Sequence, residues 1–314
     1  MDQTERTSIR LPMEIIFQIM SALLPANKKV HLPPWHEAGK LLLAFSRVSR
    51  ATHDEAIRKL KERCLYATVS RNCRFVLSLK AYQRSNHPLP SIFTNIRRMY
   101  ICLMGNGSLG RTLSIFDHVG PSLRSLTLDY FSPVMELDPN EQPEWRRCFK
   151  KLTQLEELAC AIEILMMASD PNNRDKGEPL WPNLKRLGII TCYIAFDISW
   201  LFAQSPQLNH IVLRKTIRPH LAIRILPPRD DSSHQLPKTP VTVAISEHED
   251  ESIQDKYVKD DRLRVLKYAL PGGQWNSEIW WRAVLGGMLW DLGLPGSSTE
   301  AQTQAQTEDT TKQS

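Results

Sequence analysis

The sequence predicts an α+β protein in which a module of three helices precedes an α/β solenoid, an irregular stack of strand–helix units. Two observations lead to this fold class. Apolar residues recur with helical periodicity over about residues 9–66, and a short apolar frame typical of a strand recurs over residues 91–295. Residues 67–90 are predicted to form a linker or helix. Residues 296–314 are rich in Ser, Thr and Gln and are predicted to be a disordered tail.

The composition is that of a folded protein, because 42% of its 314 residues are hydrophobic and 24% are charged. No apolar run reaches the eighteen or so residues that a membrane span needs. Met1 to Arg10 lacks the apolar core of a signal peptide, so we expect the protein in the cytoplasm, the nucleus or both. The six dispersed cysteines form no CxxC pair and are expected to be reduced.

The net positive charge of the chain comes from its N-terminal part. Residues 1–80 hold 14 Lys and Arg against 7 Asp and Glu, whereas the remaining residues hold 26 against 27. A basic N-terminal module suits an acidic protein partner or another polyanion. Neither a Lys/Arg block nor an aromatic-basic motif is present, so the sequence gives no support to nucleic-acid binding.

The first helix of the module is predicted to begin at Pro12, whose fixed φ suits a helix start, and to end at Pro25. Glu14 suits the positive end of the helix dipole. The apolar positions form a wide stripe: Ile15, Ile16, Ile19, Met20, Leu23 and Leu24.

Two further helices complete the module. Ala38, Leu41, Leu42, Phe45 and Val48 define the second. The third is predicted from about Thr52, since Thr52 and Glu55 have capping-box spacing, with Ala56, Ile57, Leu60 and Cys64 on its inner face. Three short helices with this much apolar surface cannot bury it all among themselves, which implies a partner.

The module resembles an F-box of the kind found in large fungal families. The resemblance is carried by Leu-Pro-x-Glu-Ile-Ile from Leu11, by Ser46-Arg47-Val48-Ser49-Arg50, and by the closing helix, and it covers about residues 9–66. It implies docking on Skp1, which links a protein target to a cullin ubiquitin ligase, with no catalysis, cofactor or metal. By resemblance the Skp1-facing residues are Leu11, Pro12, Ile15, Ile16, Ile19, Leu23, Val48 and Ser49.

The second part of the chain repeats the frame apolar-x-x-apolar-x-apolar six times, with starts separated by 27, 32, 29, 24 and 55 residues. Val241–Ile245 can supply a strand within the longest gap. The frames are Ile96/Met99/Ile101, Leu123/Leu126/Leu128, Leu155/Leu158/Cys160, Leu184/Leu187/Ile189, Leu208/Ile211/Leu213 and Leu263/Leu266/Tyr268.

Helical patterns precede several frames, for example Leu113, Phe116 and Val119 before the second. A strand and a helix every 24–32 residues is the rhythm of leucine-rich repeats, although the match is degenerate. Many F-box proteins pair the module with such repeats, and the resemblance implies that they present the surface for the protein target. An apolar helix around Ile279 to Leu289 is predicted to cap the stack.

Two alternatives remain open. Gly105, Gly107 and Gly110 form a literal GxGxxG between a predicted strand and helix, and Asp129 follows about twenty residues later. This is the layout of a dinucleotide fingerprint and would make the protein an NAD-dependent oxidoreductase. The other alternative is a leucine-rich binding module with no role in a ligase.

Overall fold

A computed structural model describes residues 11–25, 32, 37–63, 66–69, 81, 84–85, 96–103, 108–130, 139–169, 179–191, 196–215, 223–224, 240–246, 262–268 and 289–291. The chain divides into two compact units, Met1–Leu65 and Tyr66–Ser314. Among the described residues, no helix has the length and apolar character needed to cross a membrane.

The N-terminal unit contains three helices: α1 (Met13–Ala22), α2 (Glu37–Phe45) and α3 (Arg50–Arg63). Each contributes one fully buried residue to a small core, namely Met20, Leu42 and Ala56. Five partly buried side chains surround these three: Ile16, Phe17, Leu24, Phe45 and Leu60. The predicted three-helix pattern is therefore present, with a core of modest size.

The start of α3 differs from the prediction. The helix begins at Arg50, not near Thr52, and its capping box joins Ser49 to Thr52. The Thr52 amide donates to Ser49 Oγ at 3.2 Å, and the Ser49 amide donates to Thr52 Oγ1 at 2.9 Å. The predicted box partner Glu55 instead accepts hydrogen bonds from Arg58. A hydroxyl at the third position can close the box in place of a carboxylate because it also accepts a backbone N–H.

In the second unit, strands alternate with helices between residues 98 and 215. Its strands are β1 (Tyr66–Val69), β2 (Arg98–Leu103), β3 (Ser125–Tyr130), β4 (Glu157–Ala161), β5 (Arg186–Thr191), β6 (Phe196–Asp197), β7 (His210–Lys215), β8 (Ile223–Arg224), β9 (Val241–Ser246) and β10 (Leu263–Tyr268). Its helices are α4 (Ser108–Val119), α5 (Gln142–Phe149), α6 (Ile162–Ala168) and α7 (Trp200–Gln204), with single 3-10 turns at Gly120–Ser122, Pro139–Glu141 and Leu289–Asp291.

Eight strands form one parallel sheet in the order β1-β2-β3-β4-β5-β7-β9-β10, which is the order of the chain. Every neighbouring pair is parallel, and β6 pairs with β8 in a separate two-stranded sheet. The fold is therefore mixed α/β with a parallel sheet. Its first strand, β1, begins at Tyr66 and lies mostly within the segment expected to be a linker or helix.

The main core lies between one face of this sheet, here called the helix face, and the four helices of the described residues. Core-facing strand residues such as Leu126, Leu158 and Ile211 pack with helix residues such as Phe116 and Leu201. An aromatic cluster occupies its centre. The Phe149 ring lies 5.6 Å from Trp145, 5.4 Å from Trp181 and 6.3 Å from Phe116, measured between centroids.

The predicted frames coincide with strands. The first five frames place their apolar residues in the main core, and Val241–Ser246 supplies the extra strand. The sixth frame is wrong in register: Leu263 and Val265 pack against the main core, whereas Leu266 and Tyr268 lie on the other face. Both faces of β10 carry apolar residues, so the apolar frame can be placed one residue away from its true position. A shift of one residue assigns the core-facing side chains of a strand to the opposite face of the sheet.

The other face of the sheet, here called the open face because it carries none of the four helices, is nevertheless covered at its centre. Leu289 is fully buried there with Ala159, Ile190, Val212 and Ala244. The Trp290 ring meets the His210 ring edge to face at 6.3 Å. The helix predicted around Ile279 to Leu289 lies outside the described residues except at Leu289, which lies on the sheet face and not on the end of the stack.

Candidate docking site

The outer surface of α1 is the candidate site. The apolar residues of this helix are so widely distributed that some face the core and others face outward. Ile16, Met20 and Leu24, spaced by four residues, point into the helical core. Leu11, Ile15 and Ile19 repeat with the same spacing and are exposed. Residues four apart lie above one another on a helix, so the two series form separate stripes.

The outer stripe is strongly exposed for its residue types. Leu11 is 53% exposed, and Ile15 and Ile19 are each 40% exposed. Pro12 is exposed beside Leu11, and Leu23 continues the stripe with an intermediate exposure. Of the eight residues that the resemblance assigns to a partner, Ile16 alone packs against the core of this unit.

Helix α2 and the turn after it add three more apolar side chains to the surface. Leu41 is 44% exposed, Leu43 48% and Val48 68%, while Leu42 between the two leucines is fully buried. The sequence pattern that defines this helix included Leu41 with Leu42 and omitted Leu43. Three consecutive leucines cannot all face one side of a helix. The run Leu41-Leu42-Leu43 in the sequence therefore already indicates that some of these side chains point outward.

Ser49 has a structural role that the resemblance does not describe. Its hydroxyl accepts the Thr52 N–H and lies 3.0 Å from Thr52 Oγ1, so it is engaged in capping α3. Thr52 is itself fully buried. His53 fixes the preceding turn, because its Nδ1 lies 2.9 Å from the Ser46 carbonyl oxygen. The turn that carries Val48 is thereby held at both ends.

Polar contacts fix α3 against α1. Lys59 is buried, with 7% of its surface exposed. Its ammonium group donates to Ser21 Oγ at 2.8 Å and pairs with Glu55 at 3.2 Å. Arg58 bridges Glu55 at 2.6 Å and Glu62 at 2.9 Å along the outer side of α3. The hydrogen bond from Arg58 lowers the pKa of Glu55 despite partial burial. These contacts preorganise the helices on which the apolar side chains are displayed.

The residues of the dinucleotide alternative are only partly described. Gly105 and Gly107 lie outside the described residues, and Gly110 lies inside α4, which begins at Ser108. Asp129 lies on the open face of β3, where the Tyr100 hydroxyl donates to its buried carboxyl group. Burial raises the pKa of Asp129, against the lowering effect of that hydrogen bond. The Asp129 carboxyl group, which belongs to the layout of the dinucleotide alternative, thus already has a protein partner.

Within the described ranges, no group of three or more His, Cys, Asp or Glu side chains could hold a metal ion. The chemistry that the exposed residues of the N-terminal unit offer is apolar contact. Completing the burial of a half-exposed leucine or isoleucine contributes about 1 kcal/mol. Several such side chains on one small unit can therefore support binding to a complementary apolar groove.

No family model matches the chain, and no curated protein matches it either.

Proposed function

We propose that the protein is a substrate-recruiting adaptor of a Skp1–cullin ubiquitin ligase, with residues 9–66 as its F-box. One observation carries the proposal. Among the described residues, seven large hydrophobic side chains are exposed, and six of them belong to the N-terminal unit: Leu11, Ile15, Ile19, Leu41, Leu43 and Val48. Apolar side chains concentrated in this way are typical of a protein–protein interface.

The position of these residues supports Skp1 as the partner. Ile15 and Ile19 lie on α1, and Leu11 lies two positions before its first residue. Val48 lies in the Ser-Arg-Val-Ser-Arg segment. These are two of the three features that carry the resemblance. The basic N-terminal part of the chain, with 14 Lys and Arg against 7 Asp and Glu in residues 1–80, would favour an acidic partner surface.

We infer that the second unit is an irregular leucine-rich-repeat-like solenoid that binds the target protein. The order of the parallel strands supports this inference, because each strand lies beside the next full-length strand in the chain. A solenoid grows in this way, since each repeat contacts only its neighbours. A doubly wound dinucleotide fold instead reverses its strand order at the point where the ligand binds.

In this function no covalent chemistry is performed by the chain itself. The N-terminal unit would bury its outer apolar side chains on Skp1, while the repeat unit holds a target near the ubiquitin-charged enzyme of the ligase. Tethering raises the effective concentration of the target's lysines. An adaptor of this kind would act in the cytoplasm, the nucleus or both.

Co-purification with Skp1 tests the proposal. The intact chain should retain co-expressed Skp1, and Leu11→Asp combined with Ile15→Asp should abolish retention. Met166→Asp is the matched control, because Met166 is 44% exposed and lies on α6 in the other unit. Failure of the unaltered chain to retain Skp1 would leave a binding module without a ligase role.

The dinucleotide alternative has its own test. Addition of NAD should leave the melting temperature of the intact chain unchanged. A rise in the melting temperature that disappears in Gly107→Ala would overturn the adaptor proposal in favour of an oxidoreductase.

A further inference from the structure

A row of basic side chains lies along the edge of the parallel sheet where its strands begin. This row, here called the basic rim, consists of Arg97, Arg98, Arg124, Lys185, Arg186 and Arg264. Five of these residues stand at the first position of a strand or at the position before it, on β2, β3 and β5, and Arg264 stands at the second position of β10. Two carboxylates, Glu156 and Glu157 at the start of β4, interrupt them.

Backbone hydrogen bonds hold the rim in register. The amides of Arg124 and Ser125 both donate to the Arg97 carbonyl oxygen, at 2.7 and 3.0 Å. The same paired arrangement recurs from Glu156 and Glu157 to the Arg124 carbonyl oxygen. It recurs again at each of the next two strand starts. The rim is therefore part of the regular sheet, in which its cations lie on or just before β2, β3, β5 and β10, whereas β7 and β9 begin without a Lys or Arg.

The two carboxylates form ion pairs with the three cations on the neighbouring strands. Glu156 pairs with Arg124 at 3.5 Å on one side and with Lys185 at 3.3 Å on the other. Glu157 pairs with Arg186 at 3.1 Å. Six cations against two carboxylates leave an excess of positive charge along the row, whereas residues 81–314 together hold 26 Lys and Arg against 27 Asp and Glu.

Exposure distinguishes the rim from the residues at the centre of the open face. Farther along the strands Val212 and Ala244 are fully buried, and Arg214 is 2% exposed. All rim residues except the half-buried Arg98 are exposed. A protein that approaches the open face would therefore meet the rim, because the centre is already covered by residues that include Leu289.

We propose that the basic rim binds an acidic, extended polypeptide segment of a partner protein. Six steps between neighbouring strands, from β2 to β10, span about 29 Å at the usual strand spacing of about 4.8 Å. An extended chain covers this length in about nine residues at about 3.3 Å per residue. Acidic side chains on such a segment would complement the row of cations. The near-neutral charge of the second unit favours a short acidic segment over a nucleic acid, which usually binds domains that are basic overall.

The probe is a fluorescein-labelled peptide of ten residues that alternates Glu and Ser, titrated with the intact chain at low salt. We expect saturable binding that is largely lost in 0.5 M NaCl, because salt screens exposed charges. A peptide that alternates Gln and Ser should not bind. The triple variant Arg97→Gln, Arg124→Gln and Arg264→Gln should weaken binding about tenfold, since each exposed ion pair contributes about two- to threefold.

A matched triple variant separates the rim from net charge. Arg84→Gln, Arg147→Gln and Lys150→Gln remove three exposed cations of the second unit that do not stand at the start of a strand. This variant should bind the acidic peptide as the unaltered chain does. Equal weakening by both triple variants, or no binding of the acidic peptide by the unaltered chain, contradicts the proposal. Tighter binding of a ten-nucleotide oligothymidylate than of the peptide would assign the rim to nucleic acid instead. None of these outcomes depends on Skp1.

Discussion

Two neighbouring residues of α1 should differ sharply in their contribution to stability. Met20 is fully buried in the core of the N-terminal unit, whereas Ile19 is 40% exposed on the outer stripe. Substitution by alanine removes three heavy atoms in each case. Met20→Ala loses the transfer free energy of those atoms and leaves a cavity, which costs about 3 kcal/mol. Ile19→Ala leaves no enclosed cavity and should cost about 1 kcal/mol or less.

Hydrogen exchange measured by mass spectrometry on the intact chain can resolve this difference, because it reports on the peptides of α1 and α3 separately from the second unit. A loss of about 3 kcal/mol accelerates exchange about 150-fold, and a loss of about 1 kcal/mol about fivefold. Equal acceleration by the two substitutions would refute the separation of α1 into inner and outer stripes. Acceleration confined to the second unit would refute the assignment of Met20 to the helical core.

Further expectations concern the second unit. Phe149→Ala removes the centre of the aromatic cluster and should cost about 3–5 kcal/mol, seen as a melting temperature lower by about 10 °C. Asp129→Asn should raise the melting temperature at pH 7. Burial raises the pKa of Asp129 in the folded protein, so ionisation opposes folding as pH rises above the unfolded pKa near 4, and the difference should vanish below that pH. Cys102, Cys148 and Cys160 should resist iodoacetamide at pH 8 until the protein unfolds, because burial raises the pKa of Cys102 to about 11, of Cys148 to about 12 and also that of Cys160. Equal labelling of native and unfolded protein at these three positions would contradict their burial.

The strand pattern was predictable because its physical cause is local. A strand that buries one face on helices needs apolar residues at alternate positions, and Leu126 with Leu128 or Leu187 with Ile189 supply them. The pattern failed at β10, where Leu263, Val265, Leu266 and Tyr268 make both faces apolar. Only the register with β9, in which Leu266 lies beside Ala244, determines which residues face the helices.

The covering of the open face could not be predicted from local patterns. Leu289 is more than forty positions away in the chain from Ala244, yet the two share one buried cluster. The contact between the Tyr100 hydroxyl and Asp129 likewise depends on the parallel register that places Cys102 beside Asp129. Such contacts between distant parts of the chain follow from tertiary packing and have no periodic signature.

The candidate site was predictable as a helix with an unusually wide apolar stripe, but its division into two sides was not. Ile15 and Ile16 are identical residues in neighbouring positions, and their different roles follow from where α2 and α3 pack. Ser49 shows the same limitation. The motif suggested a partner contact, whereas the hydroxyl caps α3.

Calorimetric titration of the intact chain with purified Skp1 tests the docking site most directly. The unaltered chain and the Met166→Asp control should bind with equal affinity and with one Skp1 per chain. Leu11→Asp combined with Ile15→Asp should weaken binding at least 100-fold, because two charged groups would be buried without partners at the interface. Absence of heat with the unaltered chain, or equal affinity for the double variant and the control, would contradict a Skp1-binding role for the outer stripe of α1.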